Sequence, residues 1–176
     1  MEGLLPESST PALVPAFRRI FEEEFAYVCR SLRRLGVGEA DLPDVAQELF
    51  LTVHQRLGEY DPGRPLRPWL FSFSLRFAAN YRRLGRNRDH VSDEVLHAHA
   101  APDPNVEARE MVLAALAALE FERRVVLVMH DLEGFAAPEI AEQTGANLNT
   151  VYSRIRLARE DFKGAVARLR AKGVVS

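Results

Sequence analysis

The stretch Phe135–Glu160, FAAPEIAEQTGANLNTVYSRIRLARE, decides how this chain is read. Ile140, Ala141, Gly145, Leu148, Val151, Ile155 and Ala158 recur at the spacing of two short helices packed about a tight turn. Small Ala141 lets the two helices approach closely, and Gly145 supplies the positive φ that the turn requires. Asn147 can cap the second helix by accepting from its free amide groups. That helix then turns Asn149, Thr150, Tyr152, Ser153, Arg154, Arg156 and Arg159 outward. Such a face can enter a DNA major groove and meet base edges and phosphates. An ordinary helical hairpin with a polar face is the alternative, and it would make the agreement of cap, turn glycine and small residue a coincidence.

Working outward, helical spacing runs through both flanks and no strand-like alternation interrupts it. Upstream of the hairpin, Val112, Leu113, Leu116 and Leu119 form one stripe, and Val125, Val126, Val128, Met129 and Leu132 form the next, ended by Gly134. Nearer the start, Phe17, Ile20, Phe21, Phe25, Val28, Cys29, Leu32 and Leu35 share a helical face stopped by Gly36 and Gly38. A second helix begins near Asp41 with Pro43 in its first turn, carries Val45, Ala46, Leu49, Phe50, Val53 and Leu57 inward, and ends at Gly58. A Pro-rich loop follows, and Trp69 opens a helix apolar on most sides, as a helix buried among neighbours must be.

The spacing therefore predicts an all-α chain of two small helical domains joined by a flexible linker. The boundaries are a loose leader over 1–14, a first domain over 15–88, a linker over 89–105 and a helix-turn-helix domain over 106–172. The charge pattern supports the division. Five arginines and no acid lie between Arg76 and Arg88, six acids lie between Asp89 and Glu110, and seven basic residues lie between Asn147 and Lys172. Two basic blocks with an acidic spacer suggest two separate DNA-facing surfaces, although the net charge is only -2.

The second informative segment is DVAQELFL, residues 44–51. On a helix, Asp44, Gln47, Glu48 and Leu51 share one face, polar with one apolar member, as a surface that binds a partner would be. Aromatics interleaved with arginines follow, and such groups suit unpaired bases, whose flat faces can stack. Phe71, Phe73 and Phe77 are read as core; Tyr60, in the loop, is not.

DVAQELFL resembles the core-binding motif of sigma factors, D-x-x-Q-E-x-F-L, and RPWLF at residues 67–71 resembles the R-x-W-L-F start of the next helix in that family. NLNTVYSRIRLAR at 147–159 is similar to the family's recognition helix. Three such motifs in this order, on two domains and a short linker, resemble the extracytoplasmic-function (ECF) group of sigma-70 factors. The resemblance implies that Asp44, Gln47, Glu48, Phe50 and Leu51 meet bacterial core RNA polymerase. It implies that Tyr60, Arg64, Arg67, Arg76, Asn80 and Arg83 hold the −10 non-template strand. It implies that Asn149, Thr150, Tyr152, Ser153, Arg154, Arg156 and Arg159 read the −35 duplex of promoter DNA, and that an anti-sigma factor is a further partner. Tyr152 stands where the family often has lysine, and Ala136 and Pro138 replace the usual Ser and Glu, removing a side-chain cap.

Other functions find little support. A stand-alone helix-turn-helix regulator binding duplex operator is the alternative, and the DVAQELFL face counts against it. No nucleophile–base pair, Gly-rich phosphate loop or paired-carboxylate arrangement stands out, so no enzyme and no cofactor is expected. His90, His97 and His99 could be imagined around zinc, but no Cys or Glu is spaced to complete the site, and no metal is expected. Cys29 is the only cysteine and is read as a buried, inert thiol. The N-terminus is not read as a signal peptide, and no apolar run approaches the roughly 20 residues of a membrane span. A cytoplasmic location follows as the expectation.

Overall fold

α1 (Thr10–Arg34) and α2 (Leu42–Arg56) form because each carries one continuous apolar face. Val28 and Leu32 of α1 and Ala46, Leu49 and Val53 of α2 are fully buried. Gly36, at φ 102°, breaks the chain away from α1. A short 3-10 turn (Leu57–Glu59) carries α2 into the loop that leads to α3 (Leu66–Gly85). This computed structural model describes residues 10–85 and 104–172. Within that range α1, α2 and α3 form one bundle.

α4 (Pro104–Ala117), α5 (Phe121–Leu127), α6 (Ala137–Thr144) and α7 (Leu148–Ala171) form the second bundle, with α7 packing against each of the other three. A π-helical turn (Val128–Leu132) extends α5. Val125 to Met129 are five consecutive buried residues, more than one face of an α-helix can bury, and the wider turn reorients the last of them. Gly134, at φ 77°, then releases the chain toward α6.

The bundles touch. Phe71 of α3 meets Phe135 edge-on at 5.4 Å, so one apolar core runs through both. Arg33 pairs with Glu110 and Arg34 with Glu133, each at 2.8 Å. Arg82 lies over the Phe121 ring at 5.0 Å. Tyr27 is buried with its hydroxyl in the field of Glu133 across this contact; burial first, and that carboxylate second, push its pKa upward.

Three sequence expectations change. The leader is not loose throughout, because α1 already begins at Thr10; residues 1–9 lie outside the described residues. α3 begins at Leu66 rather than Trp69, since the first turn of a helix has no use for the amide that Pro68 lacks. α4 likewise begins at Pro104, inside the expected linker. The rest of that linker, with Arg86, Arg88, His90, His97 and His99, lies outside the described residues.

Phe50 is the aromatic centre of the first bundle. Its ring lies 4.9 Å from Phe21, 5.9 Å from Phe25 and 6.5 Å from Phe17. Phe50→Ala should destabilise the protein by about 3–5 kcal/mol in urea unfolding. Leu51→Ala, one residue on but exposed, should change it by no more than about 0.5 kcal/mol. Equal losses would mean that α2 is rotated from this orientation.

Candidate nucleic-acid and partner interfaces

On α2, Asp44, Gln47, Glu48 and Leu51 are all exposed, Leu51 by 57%. The three polar side chains make no hydrogen bond or ion pair among the described residues. Burial of Ala46, Leu49, Phe50 and Val53 leaves this face pointing to solvent. Phe50 does not belong to it. It is only 2% exposed, because the phenylalanines of α1 enclose its ring. Phe50 supports the face from behind, which corrects its assignment to direct contact with the polymerase.

On α3, Arg76, Asn80 and Arg83 are exposed at intervals of four and three, so they form one surface strip. Arg76 lies over the Phe73 ring at 4.7 Å, and Arg83 donates to Asn80 Oδ1 at 2.9 Å. The loop before α3 is ordered by its own side chains. Asp61 Oδ1 accepts from Gly63 N at 2.9 Å, and the Tyr60 hydroxyl donates to Arg64 O at 2.6 Å. Tyr60 is half-buried, its ring 5.1 Å from Trp69, so it packs more than its loop position suggests. Arg64 stays exposed. Arg67 is drawn toward α1, 3.0 Å from Glu24 and over the Tyr27 ring at 4.9 Å, apart from the interactions of the Arg76 strip.

The second bundle builds its surface on α7. Gly145 adopts φ 70° and Asn147 Oδ1 accepts from Thr150 N at 2.8 Å, as the turn and cap chemistry require. Ala136 offers no side-chain cap to α6, yet Glu139 still reaches back to Ala136 N at 2.7 Å, which keeps half of a capping box. Ile140, Val151, Ile155 and Ala158 form the inner seam. Leu148 does not join it and is 39% exposed, because as the first residue of α7 it precedes the crossing with α6.

Asn149, Tyr152, Ser153, Arg156 and Arg159 are exposed, and Thr150 and Arg154 are half-exposed. The arginines are internally balanced. Arg154 lies in the field of Glu120 and Glu122. Arg156 pairs with Glu160 at 2.8 Å on the surface of the same helix, a type of contact worth about 0.3–0.5 kcal/mol and readily exchanged for a phosphate. Arg159 is held more firmly, by both oxygens of Asp131 at 2.6 and 2.8 Å, with His130 Nδ1 2.6 Å from the same carboxylate. Sequence reasoning missed this clamp. Asp131 and Arg159 are 28 residues apart, and no periodicity links them.

Among the described residues, no group of three or more His, Cys, Asp or Glu is placed to hold a metal ion, and no helix is long and apolar enough to cross a membrane. Cys29 is half-buried, and burial raises its thiol pKa.

Comparison with known proteins assigns both bundles. Residues 20–88 match sigma-70 region 2, and residues 109–162 match sigma-70 region 4. The ECF RNA polymerase sigma factor SigL of Mycobacterium tuberculosis is 31% identical over 149 residues, which span 80% of this chain and 83% of that protein. The chain belongs to the sigma-70 family, in its ECF group. This sigma factor is also 28% identical over 158 residues to the RNA polymerase sigma factor CnrH of Cupriavidus metallidurans, covering 82% of this chain and 83% of the relative. Two solved structures share its fold. CnrH in complex with the cytosolic domain of CnrY aligns with a TM-score of 0.65 at 24% identity, over 88% of this chain and 90% of that one. RpoE in complex with the anti-sigma factor NepR, from Bartonella quintana, aligns with a TM-score of 0.69 at 18% identity, over 86% of this chain and 97% of that one.

The clamp on Arg159 is sensitive to acid. Arg159's hydrogen bonds first, and His130's after them, hold the Asp131 carboxyl at about 2 against an ordinary 3.8, despite the opposing effect of burial. A lowered folded-state pKa means that the contribution is present above 3.8 and is lost as pH falls toward 2. Protection of the π-helical turn's amides, relative to an unstructured chain at the same pH, should therefore fall between about pH 4 and pH 2 in the native chain. Asp131→Ala should exchange fast already at neutral pH and lose that dependence. An unaltered profile in the variant would mean that the clamp does not hold the turn.

Proposed function

We propose that this sigma factor binds core RNA polymerase, takes it to promoters and helps to open them, with its residues dividing the work. Residues 15–88 grip the core enzyme and the −10 element, 89–105 link the domains, and 106–172 read the −35 element. The observation that carries the reading is the unpartnered face of Asp44, Gln47, Glu48 and Leu51, displayed within the stretch that matches region 2. A regulator that bound operator DNA alone would have no use for it.

The −35 duplex is read by α7 entering the major groove, with Asn149, Thr150, Tyr152 and Ser153 toward base edges and Arg154, Arg156 and Arg159 toward phosphates. The −10 element is held as a single strand. Arg76, Asn80 and Arg83 give a cationic and hydrogen-bonding strip, with Arg64 at its loop end and Tyr60 and Arg67 ordering that loop. Strand separation costs about 1.4 kcal/mol per base-pair step on average, and captured bases and phosphates offset part of it. None of these roles involves bond chemistry, so the protein acts without catalysis of its own. Its place is with the polymerase in the bacterial cytoplasm.

The packed arrangement is the resting form. Gln143 of α6 donates to Pro68 O at 3.3 Å and shares a groove of about 340 Å³ with Trp69, Phe73 and Arg76, so the second bundle crowds the first one's DNA strip. Two solved structures of this fold are complexes, one with the cytosolic domain of CnrY and one with the anti-sigma factor NepR. An anti-sigma factor that covers the α2 face is the matching partner here.

In vitro transcription from host promoters should require this protein together with core polymerase. Gln47→Ala with Glu48→Ala should lower transcript yield tenfold or more while leaving the melting temperature unchanged, since both positions are exposed. Full activity in that double variant would remove α2 as the polymerase-binding face.

A further inference from the structure

The reading face of α7 is not uniformly polar. Leu148 is 39% exposed and Tyr152 is 56% exposed. Four residues apart, they stand one turn above the other on the same side of the helix. On the adjoining edge, Asn149, Thr150 and Ser153 line a shallow polar hollow that Leu148 borders. Arg156 and Arg159 follow within the next two turns. The N-terminal half of the helix thus has a polar edge and an apolar edge, and its arginines lie farther along.

The remaining large exposed apolar side chains of the described residues, Phe21, Leu51, Leu84, Val106 and Leu132, lie elsewhere in the chain. Only these two stand among groups suited to duplex DNA. The Tyr152 hydroxyl makes no hydrogen bond to any described residue, so nothing fixes that ring against the protein. The question is what in a major groove would meet such an edge. Hydrogen-bonding groups line it at every base pair, and among the four bases thymine alone presents an apolar group there, its C5-methyl. The first turns of a recognition helix reach deepest into the groove, and Leu148 and Tyr152 occupy them.

We propose that Leu148 and Tyr152 read thymine in the −35 duplex by enclosing its C5-methyl group. This rests on the initiation-factor reading, which is what sets α7 in the −35 duplex. The polar edge reads neighbouring bases by hydrogen bonds and cannot tell thymine from uracil, which differ only in that methyl. Removing one buried methyl group should weaken binding about fourfold.

The test uses holoenzyme assembled from this protein and core polymerase. Promoter duplexes with a randomised −35 element are selected for binding, and each thymine of the selected element is then replaced singly by deoxyuridine. One or two positions should lose about fourfold in affinity with the native chain. Tyr152→Phe, which keeps the ring, should retain the loss. The Leu148→Ser, Tyr152→Ser double variant should bind thymine and uracil duplexes equally while keeping its melting temperature, as both sites are exposed. Equal binding of thymine and uracil at every position by the native chain would overturn the proposal. So would a selected element without an A·T pair, or a difference that persists undiminished in the double variant. A clear −35 preference without any methyl effect would leave the initiation-factor reading standing. A selection that yields no −35 preference would remove both.

Discussion

Helix C-termini leave carbonyl groups without partners and carry partial negative charge, and two such ends, those of α1 and α4, meet at Arg124. Its guanidinium donates to Ala117 O at 2.7 Å and Leu119 O at 3.3 Å, closing α4, and to Leu35 O at 3.4 Å, just past α1. Burial, and then the nearby Arg82, lower its pKa, yet a guanidinium keeps its charge throughout the physiological range. Gly36 makes the approach possible, since a Cβ there would collide with this guanidinium and its φ of 102° suits glycine. One cation therefore serves helix ends in both bundles and joins them beside the Phe71–Phe135 contact and the Arg33–Glu110 and Arg34–Glu133 pairs.

The same contact shows how the bundles could part. The bond across the boundary is the longest of the three, so separation would leave Arg124 seated on α4. Arg33 and Glu110 are both partly exposed, and such pairs are worth about 1 kcal/mol or less. The Phe71–Phe135 contact and the burial of Tyr27 beside Glu133 oppose opening. A partner that engages both bundles at once can supply the free energy that parts them.

Much of this was legible in the sequence because helical periodicity is local. The stripe Ala46, Leu49, Phe50 and Val53 fixed which side of α2 faces water, and Gly145 and Asn147 carried the hairpin through chemistry confined to a few residues. A motif marks positions and not orientations: Phe50 adjoins Leu51 in sequence, yet the turn of about 100° between neighbouring helical residues carries it into the core. The π-helical turn escaped because five buried residues in a row fit several local geometries. The Asp131–Arg159 clamp and the Arg124–Leu35 bond escaped because contacts between distant residues leave no spacing to read. α3 and α4 begin earlier than periodicity suggests because Pro68 and Pro104, residues typical of loops, are tolerated in the first turn of a helix.

A polymerase subunit whose two bundles act on different parts of a promoter has to separate them when it joins the core enzyme. The most direct test of that separation is the distance between fluorophores at Gln55 on α2 and Lys163 on α7, both exposed, with and without core RNA polymerase. The account predicts a short distance in the free protein that lengthens saturably as core enzyme is added, in step with binding. A distance that stays constant while core enzyme fails to bind would contradict it.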